Sequence, residues 1–173
     1  MNFVSIQGRH APGMQFKGDE LHVCHQLMRG LSNSEYLVIN SPYRTDILYN
    51  SPRDKNQSII RLWCLHKGKN FEDMLQKFFR AAGSLESLQH YFSRLLLLQR
   101  IPTWYNPYRG ELDSTLSTNT GELSAMISEC LKAFVEQGLF DQTREKPDVE
   151  LKKSEYVDTL SIVSEVLAKY NSN

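Results

Sequence analysis

The sequence has no apolar run near the about 18–20 residues that a membrane-crossing helix needs, so no such span is expected. Cysteine is scarce: Cys24, Cys64 and Cys130 are odd in number, widely spaced and include no CxxC pair. That argues against a disulfide framework and leads us to expect buried free thiols in a reducing, cytoplasmic compartment. Neither GxxxxGK[ST] nor GxGxxG occurs, which removes the two common nucleotide cradles. Internal repeats and low-complexity tracts are missing too. The opening residues lack the charged and then apolar segments of a secretory signal. Asn2 stands where myristoylation needs glycine, and the final Tyr-Asn-Ser-Asn is no lipidation signal. Net charge is also absent, since 20 Lys and Arg balance 20 Asp and Glu.

What is present fits one packed domain. Over 173 residues, 40% are hydrophobic and 10% aromatic, too many for a disordered chain. The zero charge conceals a division. Residues 1–110 carry 14 basic and 8 acidic side chains, a formal +6; residues 111–173 carry 6 and 12, a formal −6. Such asymmetry marks an anion-binding face or a molecule whose poles attract each other's copies, unless folding interleaves the two segments.

Spacing along the chain gives an α+β expectation: a small antiparallel sheet of three to five strands in the N-terminal half, covered by about four α-helices from the C-terminal half. Residues 1–18, punctuated by Gly8, Pro12, Gly13 and Gly18, read as an arm, docked or mobile, with a short strand at Phe3–Ile6; residues 19–173 read as one globular domain. Leu21, Cys24, Leu27/Met28 and Leu31 recur at helical spacing over 19–31. Strands are expected at 36–39 and 46–49, joined as a hairpin, and at 58–66, which is apolar at most positions. The segment 51–57 reads as a polar loop. Asn70 caps a helix that Gly83 ends, and a second runs from Ser84 to about Gln99, with Leu85, Leu88, Phe92 and Leu95/Leu96 inward and Pro102 as its stop. A third begins near Thr120, with Leu123, Met126/Ile127, Cys130/Leu131 and Phe134/Val135 inward and Gly138 as its end. A fourth follows Ser154, with Tyr156/Val157, Leu160, Val163, Val166/Leu167 and Tyr170. Residues 101–119 are left as a long loop, the kind that is often functional.

The chemical candidates each meet a plainer reading. His22, Cys24 and His25, with Cys64 and His66, offer metal-ligating atoms, yet without paired zinc spacing they read as ordinary buried or half-buried side chains. A Cys64 nucleophile served by His66 or His25 would need a depressed thiol pKa and an orienting third group, for which the sequence gives no sign. Asp19-Glu20 and Glu72-Asp73 stand at helix starts, where acids complement the helix dipole. Glu122, Glu129 and Glu136 mark a solvated face. The turn His66-Lys67-Gly68-Lys69-Asn70 can offer cations to one anionic group, though a charged turn is the simpler account.

No enzyme chemistry, metal or cofactor is therefore expected. The expectation is a non-enzymatic binding or assembly protein acting on another macromolecule, with another protein first, an anionic nucleic acid or membrane second, and homo-oligomers through opposite poles. Two clusters would carry it. Arg44, Arg53, Lys55, Lys67 and Lys69 form the anion-binding set. Arg100, Trp104, Tyr105, Tyr108 and Arg109 form the partner-binding set, on a proline-stiffened 101–110 loop whose rings lose little entropy on binding. The alternatives are a matrix-type structural protein that self-assembles, a nucleic-acid-binding regulator, and a small cysteine-dependent hydrolase.

Overall fold

The computed structural model describes residues 1–31, 35–140 and 153–170, with side chains at all of these except 153–157. The chain opens on a strand, β1 (Asn2–Gln7), followed by a 3₁₀ turn and helix α1 (Glu20–Leu31). Strands β2 (Tyr36–Ser41) and β3 (Arg44–Tyr49) form the expected hairpin. Helices α2 (Asn56–His66) and α3 (Phe71–Leu75) lead to a short strand, β4 (Phe79–Ala82). Four helices follow: α4 (Ser84–Gln99), α5 (Pro102–Thr118), α6 (Glu122–Glu136) and α7 (Lys153–Tyr170).

The four strands are antiparallel in the order β2-β3-β1-β4. Alternation sorts their side chains between two cores. Phe3, Leu37, Ile39 and Leu48 face α4–α7, whereas Val4, Ile6, Val38, Ile47 and Tyr49 face α1–α3. The α+β reading holds, with helices on both faces of the sheet. Among the described residues no helix is long and apolar enough to cross a membrane.

The short strand expected at Phe3–Ile6 is β1, and it docks: β1 pairs with β3 on one side and β4 on the other and its side chains are nearly all buried. Three local expectations change. Residues 58–66 are helical. An apolar run of that length is ambiguous between strand and helix. Burial of Asn56, Ile59, Ile60, Trp63 and Cys64, beside exposed Arg61 and Leu65, has the helical period. The Asp54 carboxylate accepts the Asn56 N–H at 2.7 Å, and so starts the helix inside the expected polar loop. The helix capped by Asn70 ends after five residues, because Phe79 is drawn into pairing with Ser5 and tertiary pairing outweighs local propensity. The 101–119 segment is the helix α5. Pro102 occupies its first turn, where a missing N–H costs nothing, and Pro107 is exposed, so the Thr103 carbonyl it deprives of a donor faces water.

Leu85, Val135 and Leu160, expected inward, are 44%, 50% and 38% exposed, while Thr159, Ile162 and Val163 turn into the core. The side chains of Tyr156 and Val157 lie outside those described.

A remote cap fixes the α5–α6 junction. The Glu35 carboxylate, just ahead of β2, accepts the Leu123 N–H at 2.8 Å and the Ser124 N–H at 3.3 Å, the free donors of the first turn of α6. A Cβ at Gly121 would collide with that carboxylate, so a larger residue there would push Glu35 out of the cap. Glu35→Ala should cost about 1–2 kcal/mol in chemical denaturation, an amount typical of a lost N-cap; an unchanged midpoint would show that the cap contributes nothing.

Candidate anion-binding site

The site begins where β1 leaves the sheet. Gly8 adopts φ +67°, a conformation that favours glycine, and donates its N–H to the Tyr43 carbonyl at 2.9 Å. Two turns follow: Ala11 N–H reaches Gly8 O at 3.1 Å and Met14 N–H reaches Ala11 O at 2.9 Å. Ala11 and Met14 are thereby buried, while Arg9 is exposed and His10 half-buried. The Trp63 indole N–H donates to the Met14 carbonyl at 2.8 Å and ties this wall to α2.

The facing wall is the α2–α3 junction. Gly68, with φ +59°, donates to Leu65 O at 3.1 Å, and Lys69 N–H donates to Cys64 O at 2.8 Å, the paired bonds of a Schellman helix end. Asn70 Oδ1 then accepts the Asp73 N–H at 3.2 Å and caps α3. Lys69 is thus held between two helix termini, and Lys77 follows α3 as the chain turns into β4. Between the walls lies a cleft of about 340 Å³. Its lining includes Arg9, His10, Lys69 and Lys77, with Asp73 as its single carboxylate. Among the described residues neither Lys69 nor Lys77 makes an ion pair. The cleft therefore carries excess positive charge in an open, water-facing position.

Comparison with protein-family models, curated proteins and solved structures finds no match.

Of the five cations expected to bind anions, only Lys69 lines the cleft. Arg44 is wholly buried and paired with Asp46 at 2.7 Å, so it presents no charge at the surface. Arg53 is exposed, but it follows Tyr49, at the end of the sheet opposite Gln7 and Arg44. Lys55 donates to the Leu31 carbonyl. Lys67 binds the Gln15 carbonyl at 2.5 Å and Glu20 at 2.6 Å, and with the Lys17 N–H it holds the Glu20 carboxyl below its ordinary pKa. The cleft's other basic residues, Arg9 and Lys77, and His10, whose Nε2 accepts from Arg9 Nε at 3.4 Å, come from segments read as an arm and as a helix face. No local signal joins them. The pairing of β1 with β4 does.

The 101–110 cluster also divides. Tyr108 is buried, with its hydroxyl donating to Asp46 at 2.5 Å. Arg109 chelates Asp113 at 2.8 and 2.9 Å, and Arg100 has a partner within the chain. Trp104 and Tyr105 are half-buried against the core. Trp104 stacks on Tyr43 with centroids 5.0 Å apart and planes at 12°, and its ring passes 3.9 Å from where a Gly8 Cβ would stand. The aromatic pair therefore stands one residue along from Arg9.

The cysteine and histidine candidates do not assemble. Among the described residues no group of three or more metal-ligating side chains comes together. Cys24, Cys64 and Cys130 are free and buried. Burial pushes the Cys24 and Cys130 thiols up to about 12, with Glu129 adding to the effect at Cys130, and raises Cys64 as well, the reverse of what a nucleophile needs. His66 lies 3.8 Å from Glu20, and His25 lies 3.3 Å from the Tyr36 hydroxyl. Native protein at pH 8 should resist thiol-specific labelling at all three cysteines until denaturant is added. Rapid labelling of Cys64 would overturn this.

Proposed function

We propose that this chain is a non-enzymatic binding protein whose cleft takes a phosphate of a single-stranded nucleic acid. The observation that carries the reading is the convergence of Arg9, His10, Lys69 and Lys77 around one cleft with a single carboxylate. Its volume of about 340 Å³ suits one phosphate-bearing unit rather than a long duplex surface. Tyr43 and Trp104, whose rings stack against each other next to Gly8 at the end of β1, offer ring surface for a neighbouring base, and cations with aromatics are the usual means of holding single strands. Buried free thiols favour an intracellular, reducing location.

The test is the anisotropy of a labelled single-stranded RNA of mixed sequence, titrated at several salt concentrations. Lys69→Glu with Lys77→Glu should weaken binding at least about tenfold and flatten the salt dependence by about 0.7 in logarithmic slope for each phosphate no longer neutralised. Unchanged affinity and slope would reject the reading. Association with vesicles containing phosphatidylserine, without RNA binding, would move the proposal to a membrane partner.

A protein partner is the second reading, favoured by a groove of about 360 Å³ between α5 and α6. Arg109, Leu116, Leu131 and the half-exposed Val135 line it.

A further inference from the structure

The Arg44–Asp46 pair is part of a larger buried polar cluster, on the face of the sheet that meets α4 and α5. Ser5 pairs with Asp46 on one side and with Phe79 on the other, so these three side chains stand in one row on one face. Arg44, two residues before Asp46, points the same way. Its guanidinium lies over the rings of Tyr91 and Tyr108, at 5.3 and 4.7 Å from their centroids. Arg94, three residues beyond Tyr91 on α4, lays its guanidinium 3.1 Å from the centroid of the Phe79 ring. Two guanidinium groups and a serine hydroxyl thus gather around one carboxylate.

Neither charge nor hydrogen bonding closes within this cluster. Asp46 Oδ2 accepts Arg44 Nε at 2.7 Å and the Tyr108 hydroxyl at 2.5 Å, and that hydroxyl also lies 3.0 Å from the Tyr91 hydroxyl. Both phenols are kept neutral, their pKa raised first by burial and then by Asp46. Burial and the Arg44 charge lower the Arg94 pKa to about 10, which leaves it protonated at neutral pH. Two positive charges therefore meet one negative charge. Among the described residues, both terminal nitrogens of Arg44, Nε of Arg94 and the Ser5 hydroxyl are buried without a partner, as is Asp46 Oδ1. A water molecule can satisfy Asp46 Oδ1 together with one N–H, but it cannot neutralise the surplus charge.

We propose that a halide-sized monovalent anion binds between Arg44, Arg94 and Ser5 and completes this cluster. Arg44 and Ser5 have no exposed surface, so an ion that reaches them must be small and shed its water, which favours a halide over a tetrahedral oxyanion. Access is from the Arg94 side, where that residue is half-buried. The site lies in the core and does not depend on the cleft.

The experiment compares melting temperature in sodium chloride and sodium gluconate at equal ionic strength, gluconate being too large to enter. The wild-type protein should melt about 2–6 °C higher in chloride, as expected for a ligand present well above its dissociation constant. Arg94→Gln, which leaves the Arg44–Asp46 pair in place, should remove that difference, while Lys69→Glu with Lys77→Glu should retain it. Crystals grown in bromide should show an anomalous peak within hydrogen-bond distance of Arg44. Equal melting in both salts, or a chloride effect that persists in Arg94→Gln, would overturn the proposal, as would bromide density elsewhere with none at Arg44.

Discussion

Asp46→Ala should lower the melting temperature by about 6–20 °C, corresponding to the 3–5 kcal/mol typical when one partner of a buried ion pair is removed. Asp46 and Arg44 have no exposed side-chain surface, and Asp46 Oδ2 is the acceptor for both Arg44 and Tyr108. Without it, a fully buried guanidinium keeps its charge, and the Tyr108 hydroxyl is left with only the Tyr91 hydroxyl. The cost comes from the stranded charge more than from the missing attraction. The double replacement Arg44→Met with Asp46→Leu should therefore recover most of the loss, since apolar side chains of similar size suit the same space. Urea denaturation of both variants checks this; a double variant as unstable as the single one would show that the pair is needed for more than neutrality.

Trp63→Ala should cost about 3–5 kcal/mol, the usual range for emptying a large aromatic site. The indole is 2% exposed, stacks on Phe16 at 4.9 Å and meets Phe78 edge-on at 5.2 Å. Trp63→Phe is the more telling change. It keeps a ring in the core but strands the Met14 carbonyl, at about 1–3 kcal/mol. Because that bond ties the 8–14 wall to α2, Trp63→Phe should also weaken RNA binding, with every cleft charge still in place. Stability that falls while RNA affinity stays constant would separate the wall from the site.

Helices with their own stop signals were legible in the sequence. Residues Ser84–Gln99 lie between Gly83 and Pro102, and the spacing of Leu88, Phe92 and Leu95 repeats what burial shows. The β2–β3 hairpin was legible for a similar reason, a Pro42-Tyr43 turn between two apolar runs. Residues 58–66 were not, because an uninterrupted apolar stretch carries no period until burial selects one face. The proline-rich start of α5 concealed a helix, since prolines stiffen loops and first turns alike.

The site was less legible than the fold. Arg9, His10 and Lys77 meet only because β1 enters the sheet between β3 and β4, a long-range pairing with no local signature. Arg44 did carry a local warning: in a strand, Arg44 and Asp46 share a face, and opposite charges two residues apart in a strand otherwise made of buried residues mark an internal pair.

The most direct test of the cleft is an amide chemical-shift titration of isotope-labelled protein with single-stranded RNA. The largest shifts should fall on residues 8–14 and 69–77, with smaller ones at Tyr43 and Trp104, and should fade as salt rises. Shifts confined to the α5–α6 groove, or none at saturating RNA, would contradict the account.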